Sequence, residues 1–185
     1  MIFVATRLPG AFIIDLERRE DTRGFFARAF CARELEAHGL ALPIVQANVA
    51  FSNRRGTIRG LHYQAAPAVE TKLVRCTQGA VLDVIVDLRP DSPTWLQHLS
   101  VELTAANRRG LLVPPLFAHG YQTLTDDAEV TYLVSEYFTP ESERGVRYDD
   151  PAIGIRWPLP VAAISEKDAA WPLVDRKPAR ALEIR

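Results

Sequence analysis

The chain has 185 residues, 48% hydrophobic and 24% charged, which is ordinary for a soluble globule, and its formal net charge is −1. A length of this order suits one folded unit that buries about 70% of its unfolded surface without disulfides or metal. The near-zero charge excludes a protein built to coat nucleic acid, no apolar run reaches the roughly 20 residues that cross a bilayer, and the cysteines Cys31 and Cys76 make no disulfide framework.

The N-terminal MIFVATRLPG has no basic region leading into a long apolar core, so no export signal is expected and a cytoplasmic location is the default. From Met1 to Arg19 the pattern is short and β-like: IFVATRL, a Pro9-Gly10 turn, then AFIIDLE. Glu20 to Gly24 breaks it, and Phe25 to Phe30 resumes an extended apolar run. Ala32 to His38 predicts a short helix with Gly39 as its stop. Beyond Pro43 the pattern predicts strands at Ile44 to Phe51, Thr57 to Gln64, Lys72 to Thr77, Ala80 to Leu88, Gln97 to Leu103, Gly110 to Val113, Ala118 to Leu124 and Glu129 to Tyr137. Turn signals separate them, such as Asn53-Arg54-Arg55-Gly56, Gln78-Gly79 and Thr125-Asp126-Asp127. Short strands about 8 to 12 residues apart predict a mainly β sandwich or barrel with few helices, rather than alternating β and α units. The run AVLDVIVDLR carries β-branched residues on both faces, so it reads as a central strand covered on both sides. After Tyr148 the chain is loop-like until Ser165-Glu166-Lys167-Asp168, which reads as a capping box opening a short helix. Residues 1–185 are therefore read as a single domain, with an N-terminal strand arm (about 1–30) and a C-terminal loop and helix extension (about 140–185).

Two strands carry a residue suited to chemistry: His62 in Thr57 to Gln64, and Lys72 in the next. The Pro- and Ala-rich connection between them is of hairpin type, so strand pairing is expected to bring them close. A neutral imidazole near an ammonium is a base beside a fixed positive charge, which suits removal of a proton next to a carbonyl. His62 and His119 both sit beside glycine, in Gly60-Leu61-His62 and Ala118-His119-Gly120, which suits close approach of a ligand and equally suits a satisfied core or turn histidine. His38 and His98 read as surface residues. Neither His62 nor His119 has a second ligand at metal-site spacing, so no metal is expected. Alternation puts Lys72, Val74 and Cys76 on one face, where the lysine either snorkels to solvent or serves a cavity. It also puts Arg59 and His62 on opposite faces unless Gly60 introduces a bulge. Tyr132 shares a face with Val130 and Val134 and reads as a core aromatic with a hydroxyl to satisfy. Asp168 is the fourth position of the capping box. Arg23, Arg59 and Arg75 are either anion-binding forks or solvated charges.

Several motifs occur in a fixed order along the chain: Leu8-Pro9-Gly10, Asp21-Thr22-Arg23-Gly24-Phe25-Phe26, Gln46-Ala47-Asn48, Arg59-Gly60-Leu61-His62-Tyr63-Gln64, Lys72-Leu73-Val74-Arg75, Asp83 to Arg89, Phe117-Ala118-His119-Gly120, Asp149-Asp150-Pro151 and Ser165-Glu166-Lys167-Asp168. Together they resemble the dTDP-4-dehydrorhamnose 3,5-epimerase family, which acts on nucleotide-linked 4-keto-6-deoxysugars, from Leu8 to about Leu173. The resemblance implies a cupin-like jelly-roll β-sandwich with a few short helices, working as a homodimer with no cofactor and no metal. It implies a nucleotide-sugar substrate, dTDP-linked, and neither nucleic acid nor membrane as partner.

By matching motif, His62 corresponds to the general base, held by Asp168; Tyr132 to the general acid on the other face of the sugar; and Lys72 to the group that stabilises the enolate oxygen. Arg59 and His119 match substrate-contacting positions, and Arg23 a nucleotide-phosphate contact. Gln46, Asn48, Glu143 and Lys167 match further binding positions, and Phe138 falls where an aromatic ring meets the base. The family arrangement has an N-terminal strand crossing to the partner's sheet, so the pocket is expected to borrow Arg23 and Phe25. Departures are Arg28 in place of a glutamate, Ala47 in place of an aspartate, and Leu116 in place of a glycine. They leave open the nucleotide, the sugar, and whether one or both carbons are inverted. The alternatives are a single-carbon epimerase or ketoisomerase on the same scaffold, and a sugar-nucleotide-binding jelly roll without catalysis.

Overall fold

The computed structural model describes residues 1–40 and 42–175, and among them the alternating pattern becomes thirteen strands, two short α-helices and one 3₁₀ turn. Strands β1 (Ile2–Ala5) and β2 (Phe12–Asp15) pair antiparallel across the expected Pro9-Gly10 turn. The break at Glu20 to Gly24 proves to be the turn of a second small hairpin, β3 (Arg19–Asp21) with β4 (Gly24–Phe26). The extended run expected from Phe25 to Phe30 is strand only through Phe26. Helix α1 (Ala32–Glu36) buries Leu35 and stops short of the predicted His38, before Gly39 at φ +71°.

All eight strands expected beyond Pro43 are present: β5 (Gln46–Ser52), β6 (Ile58–Gln64), β7 (Lys72–Gln78), β8 (Ala80–Asp87), β9 (His98–Thr104), β10 (Gly110–Val113), β11 (Phe117–Thr123) and β12 (Ala128–Val134). After the 3₁₀ turn Pro140–Ser142 come β13 (Glu143–Gly145) and helix α2 (Glu166–Ala169). The last part of the expected C-terminal extension, residues 176–185, lies outside the described residues. No helix among the described residues is long and apolar enough to cross a membrane.

The strands form a six-stranded sheet, in the order β1-β2-β10-β7-β12-β5, and a five-stranded sheet, in the order β13-β6-β11-β8-β9. This assigns β6 and β7 to different sheets, which corrects the hairpin expected from their connection. His62 and Lys72 therefore belong to opposing sheets and are not strand neighbours.

Three apolar layers follow from the alternation. Between the sheets, Val74, Cys76 and Val130 of one pack with Val81, Ile85, Leu103, Phe117 and Tyr121 of the other. Burial pushes the Cys76 thiol up to about 11, so this cysteine behaves as a small core residue. Outside the five-stranded sheet, Leu61, Val84, Val86 and Ala118 are covered by Val146, Ile153 and Trp157 from the C-terminal segment. Outside the six-stranded sheet, Ile14, Leu73 and Leu112 are covered by Leu35 and Leu42. Strand β8 contributes to both the first and second layers, so its β-branched residues are buried on both faces as its pattern predicts.

One irregularity in the five-stranded sheet re-aims the functional residues. Opposite β11, His119 pairs with His62 but Tyr121 pairs with Arg59, so β6 carries an extra residue. That bulge lies at Gly60, at φ +113°, and a Cβ there would sit 2.7 Å from the Gly120 Cα. A Cβ on Gly120 would in turn lie 2.5 Å from the Arg59 carbonyl oxygen, so both positions need glycine for the strands to close. With the extra residue inserted, Arg59 and His62 line the same cavity despite their spacing.

Leu116, just before β11, stands where the motif carries glycine, and its φ is +60°. An L-residue in the left-handed region is disfavoured by roughly 1–2 kcal/mol. Leu116→Gly is expected to stabilise the fold by about 1 kcal/mol and to raise Tm by about 2–4 °C, measured by thermal unfolding.

Candidate active site

Two adjoining cavities share part of their lining. The larger of the two, of about 350 Å³, is lined by Arg59, His62, His119 and Tyr121 of the five-stranded sheet, Lys72 and Tyr132 of the six-stranded sheet, and Ser165 and Asp168 at α2. The smaller, of about 270 Å³, is lined by Gln46, Asn48, Glu70, Phe138 and Glu143, among others. His62, Lys72 and Tyr132 line both, and stand where the two meet.

His62 is fixed by a carboxylate from far along the chain: its Nε2 lies 2.6 Å from Asp168 Oδ1. The other oxygen, Oδ2, accepts the Gly60 backbone N–H at 3.0 Å, so one side chain ties the bulge and the imidazole together. Trp171 packs edge-on against the imidazole, with ring centroids 6.1 Å apart. Half of the predicted capping box forms. Ser165 Oγ accepts the Asp168 backbone N–H at 3.0 Å, but the Asp168 carboxylate is spent on His62 and Gly60 instead of reaching back to the cap. Burial works to raise the Asp168 pKa, and the hydrogen bonds from His62 and Gly60 more than offset it, holding the carboxyl below its ordinary value of 3.8.

Across the junction, Tyr132 and Lys72 come from neighbouring strands. Tyr132 is opposite Val74 and Lys72 is opposite Val134, which makes them diagonal neighbours on one face. Burial first, then the negative charge of Glu70, push the Tyr132 phenol above its ordinary 10, with Arg59 pulling the other way. At neutral pH this side chain is therefore a proton donor. The Lys72 ammonium does not snorkel out: its side chain is 11% exposed and is paired with Glu70 Oε1 at 2.9 Å.

Arg59 donates to Ser52 Oγ and the Phe51 carbonyl, which ties the cavity wall to β5. His119 Nε2 is 2.9 Å from Asp83 Oδ2, a second imidazole–carboxylate pair directly opposite His62 in strand register. Gln46 donates to Asn48 Oδ1 at 2.9 Å, and Phe138 stands 56% exposed beside them. Lys167 pairs with Glu143 at 2.6 Å, at the rim.

Other predicted residues lie elsewhere. Arg23 is paired with Asp21 and exposed to solvent, and Phe25 is held between the guanidiniums of Arg18 and Arg108 at 4.8 and 5.1 Å; neither lines either of the two cavities. Arg75, read as a possible anion fork, has its guanidinium taken by the carbonyls of Arg108 and Ala29. Arg28 is paired with Glu34, away from both cavities, and Ala47 is exposed on β5. His98, expected at the surface, is half-buried. Sequence reasoning gave no role to Glu70, which has no motif around it. Asp83 was visible as a charge interrupting an apolar strand, a signal that such a carboxylate has a buried partner.

A model of the dTDP-4-dehydrorhamnose 3,5-epimerase family matches residues 5–176. The chain belongs to the dTDP-4-dehydrorhamnose 3,5-epimerase family. A dTDP-4-dehydrorhamnose 3,5-epimerase of Pseudomonas aeruginosa is 44% identical over 168 residues, which cover 89% of this chain and 92% of the relative. The Bacillus anthracis dTDP-4-dehydrorhamnose 3,5-epimerase, solved with TDP and PPi bound, superposes with a TM-score of 0.90 at 42% identity, covering 94% of this chain and 99% of that one. A Legionella pneumophila dTDP-6-deoxy-D-glucose-3,5-epimerase in complex with dTDP-4-keto-L-rhamnose gives 0.86 at 39%, covering 93% and 92%. The sandwich is thus the cupin-like one that the epimerase family resemblance implied.

The depressed Asp168 pKa fixes a pH window. Stability from its ionised carboxylate is complete above 3.8 and is lost as pH falls through the lower folded-state value. Asp168→Asn is expected to cost about 1–3 kcal/mol at neutral pH, and the gap to the parent should narrow below pH 3.8 in denaturant titrations run across pH.

Proposed function

We propose that the protein inverts carbons 3 and 5 of a nucleotide-linked 4-keto-6-deoxyhexose, of the dTDP-4-dehydro-6-deoxyglucose type, and that residues 1–185 act as one epimerase domain. Membership of the epimerase family makes the chain an isomerase-class enzyme. The observation that carries the reading is the junction of the two cavities, where an imidazole from one sheet faces an ammonium and a phenol from the other.

Protons on the carbons flanking a ketone are weakly acidic, because the carbanion delocalises onto the carbonyl oxygen. His62 takes such a proton on one face, and Asp168 holds the imidazole and stabilises the imidazolium that forms. Lys72 faces the developing enolate oxygen, where a fixed cation in a largely dry site is worth more than in water. Tyr132 returns a proton from the opposite face, which inverts the carbon; its phenolate is then reprotonated from solvent, and the His62 imidazolium gives up its proton to solvent. Arg59 and His119 hold the sugar in the larger cavity. Gln46, Asn48, Phe138, Glu143 and Lys167 surround the nucleotide end, with the exposed Phe138 ring available to stack on a base.

The protein works as a homodimer in the cytoplasm. Arg23 and Phe25, remote from the two cavities described, reach the site of a second copy, where Arg23 contacts a nucleotide phosphate. Mixing Arg23→Ala subunits with His62→Asn subunits should give more activity than the sum of the two alone, because one mixed site is then complete; strictly additive activity would exclude sharing.

With the 4-keto sugar nucleotide in deuterated water, NMR should record deuterium entering both C3 and C5 of the sugar. His62→Asn should remove incorporation at both carbons, a loss of at least 100-fold. Exchange at wild-type rate in that variant would reject His62 as the base, and exchange at a single carbon in the parent would make the protein a single-carbon epimerase.

A further inference from the structure

Glu70 precedes β7 in the connection from β6, and the proton-transfer scheme gives it no part. The residue nevertheless lines the smaller cavity, and its carboxylate meets Lys72 Nζ at 2.9 Å, with both side chains only 11% exposed. Among the described residues no other carboxylate is paired with Lys72. A lysine reaches its site through four flexible methylenes and presents a compact charge with three donors, so it has no preferred direction of its own. A buried partner supplies one, and removing that partner leaves an uncompensated charge free to reorient.

We propose that Glu70 is a positioning residue for Lys72: its carboxylate takes one ammonium N–H and so leaves the other two for the junction of the cavities. The inference rests on the epimerase reading above, because the enolate oxygen is what those two donors would meet. The frame around Glu70 suits this task. Gln64 donates to the carbonyls of Ala68 and Tyr137 at 3.0 and 3.1 Å, and Thr71 N–H donates to Ser135 Oγ at 2.8 Å, so the connection is pinned on both sides of Glu70. The carboxylate therefore stands on a braced segment and transmits that order to the ammonium.

The chain has three lysines, Lys72, Lys167 and Lys177, so ¹³C-lysine labelling gives three ε-methylene signals, and the one that Lys72→Arg removes is that of Lys72. Its relaxation should report an ordered group in the parent and a mobile one in Glu70→Ala. In the exchange assay, Glu70→Ala should lower kcat about 10- to 100-fold with little change in KM, the cost of a misplaced group, and Glu70→Gln, whose amide oxygen still accepts, should recover most of it. Glu70→Gln is near-isosteric and serves if the alanine variant does not fold. An equally ordered Lys72 in Glu70→Ala, or an unchanged kcat in both variants, overturns the proposal. A parent that exchanges no deuterium would sink the epimerase reading instead, and the relaxation measurement would still decide whether Glu70 orders Lys72.

Discussion

Asp168 bridges two parts of the molecule that are over a hundred positions apart in sequence. One oxygen receives the N–H of Gly60 at the bulge of β6, and the other meets the imidazole of His62 two residues on. The bulge turns Arg59 and His62 to one side, and the carboxylate then secures the bulge and the side chain it delivers. A buried carboxylate with fewer partners would resist ionisation. With these partners it stays charged, so it can hold the imidazole that the proposed reaction would protonate. The geometry of His62 thus depends on a short C-terminal helix docking correctly against the five-stranded sheet.

The second constraint is that the residues proposed as acid and base come from different sheets. Inverting a carbon requires proton removal on one face and delivery on the other, which two groups on one flat sheet would serve poorly. In this sandwich the five-stranded sheet supplies His62, Arg59 and His119, and the six-stranded sheet supplies Lys72 and Tyr132. The same inter-sheet space is filled by Val74, Cys76, Ile85 and Phe117 further in, and opens toward the end where the polar residues take over. The core therefore sets the spacing between the two walls of the cavity. Packing to interior density makes that spacing stiff.

The departures from the family motif fall outside this arrangement. Arg28 is engaged with Glu34, Ala47 is on the exposed face of β5, and Leu116 occupies a left-handed position in the entry to β11. Of the three, Leu116 alone has a direct energetic reading, since its backbone conformation favours glycine.

Much of the fold was legible in the chain itself, because strand alternation and turn residues are local signals. All eight central strands, the α2 cap at Ser165 and the doubly covered β8 follow from them. The bulge at Gly60 was legible too, as the condition under which Arg59 and His62 share a ligand. Tyr132 and Asp168 were ambiguous from spacing, one as a core aromatic and the other as a capping residue, and it was likeness to a family that singled them out. Local pattern does not encode which sheet a strand joins, and there the hairpin expectation for β6 and β7 failed: their connection crosses between sheets. Partnerships such as Glu70 with Lys72 and Asp83 with His119 likewise belong to the tertiary structure, because a buried charge finds its counter-ion in space and the sequence records only that it needs one.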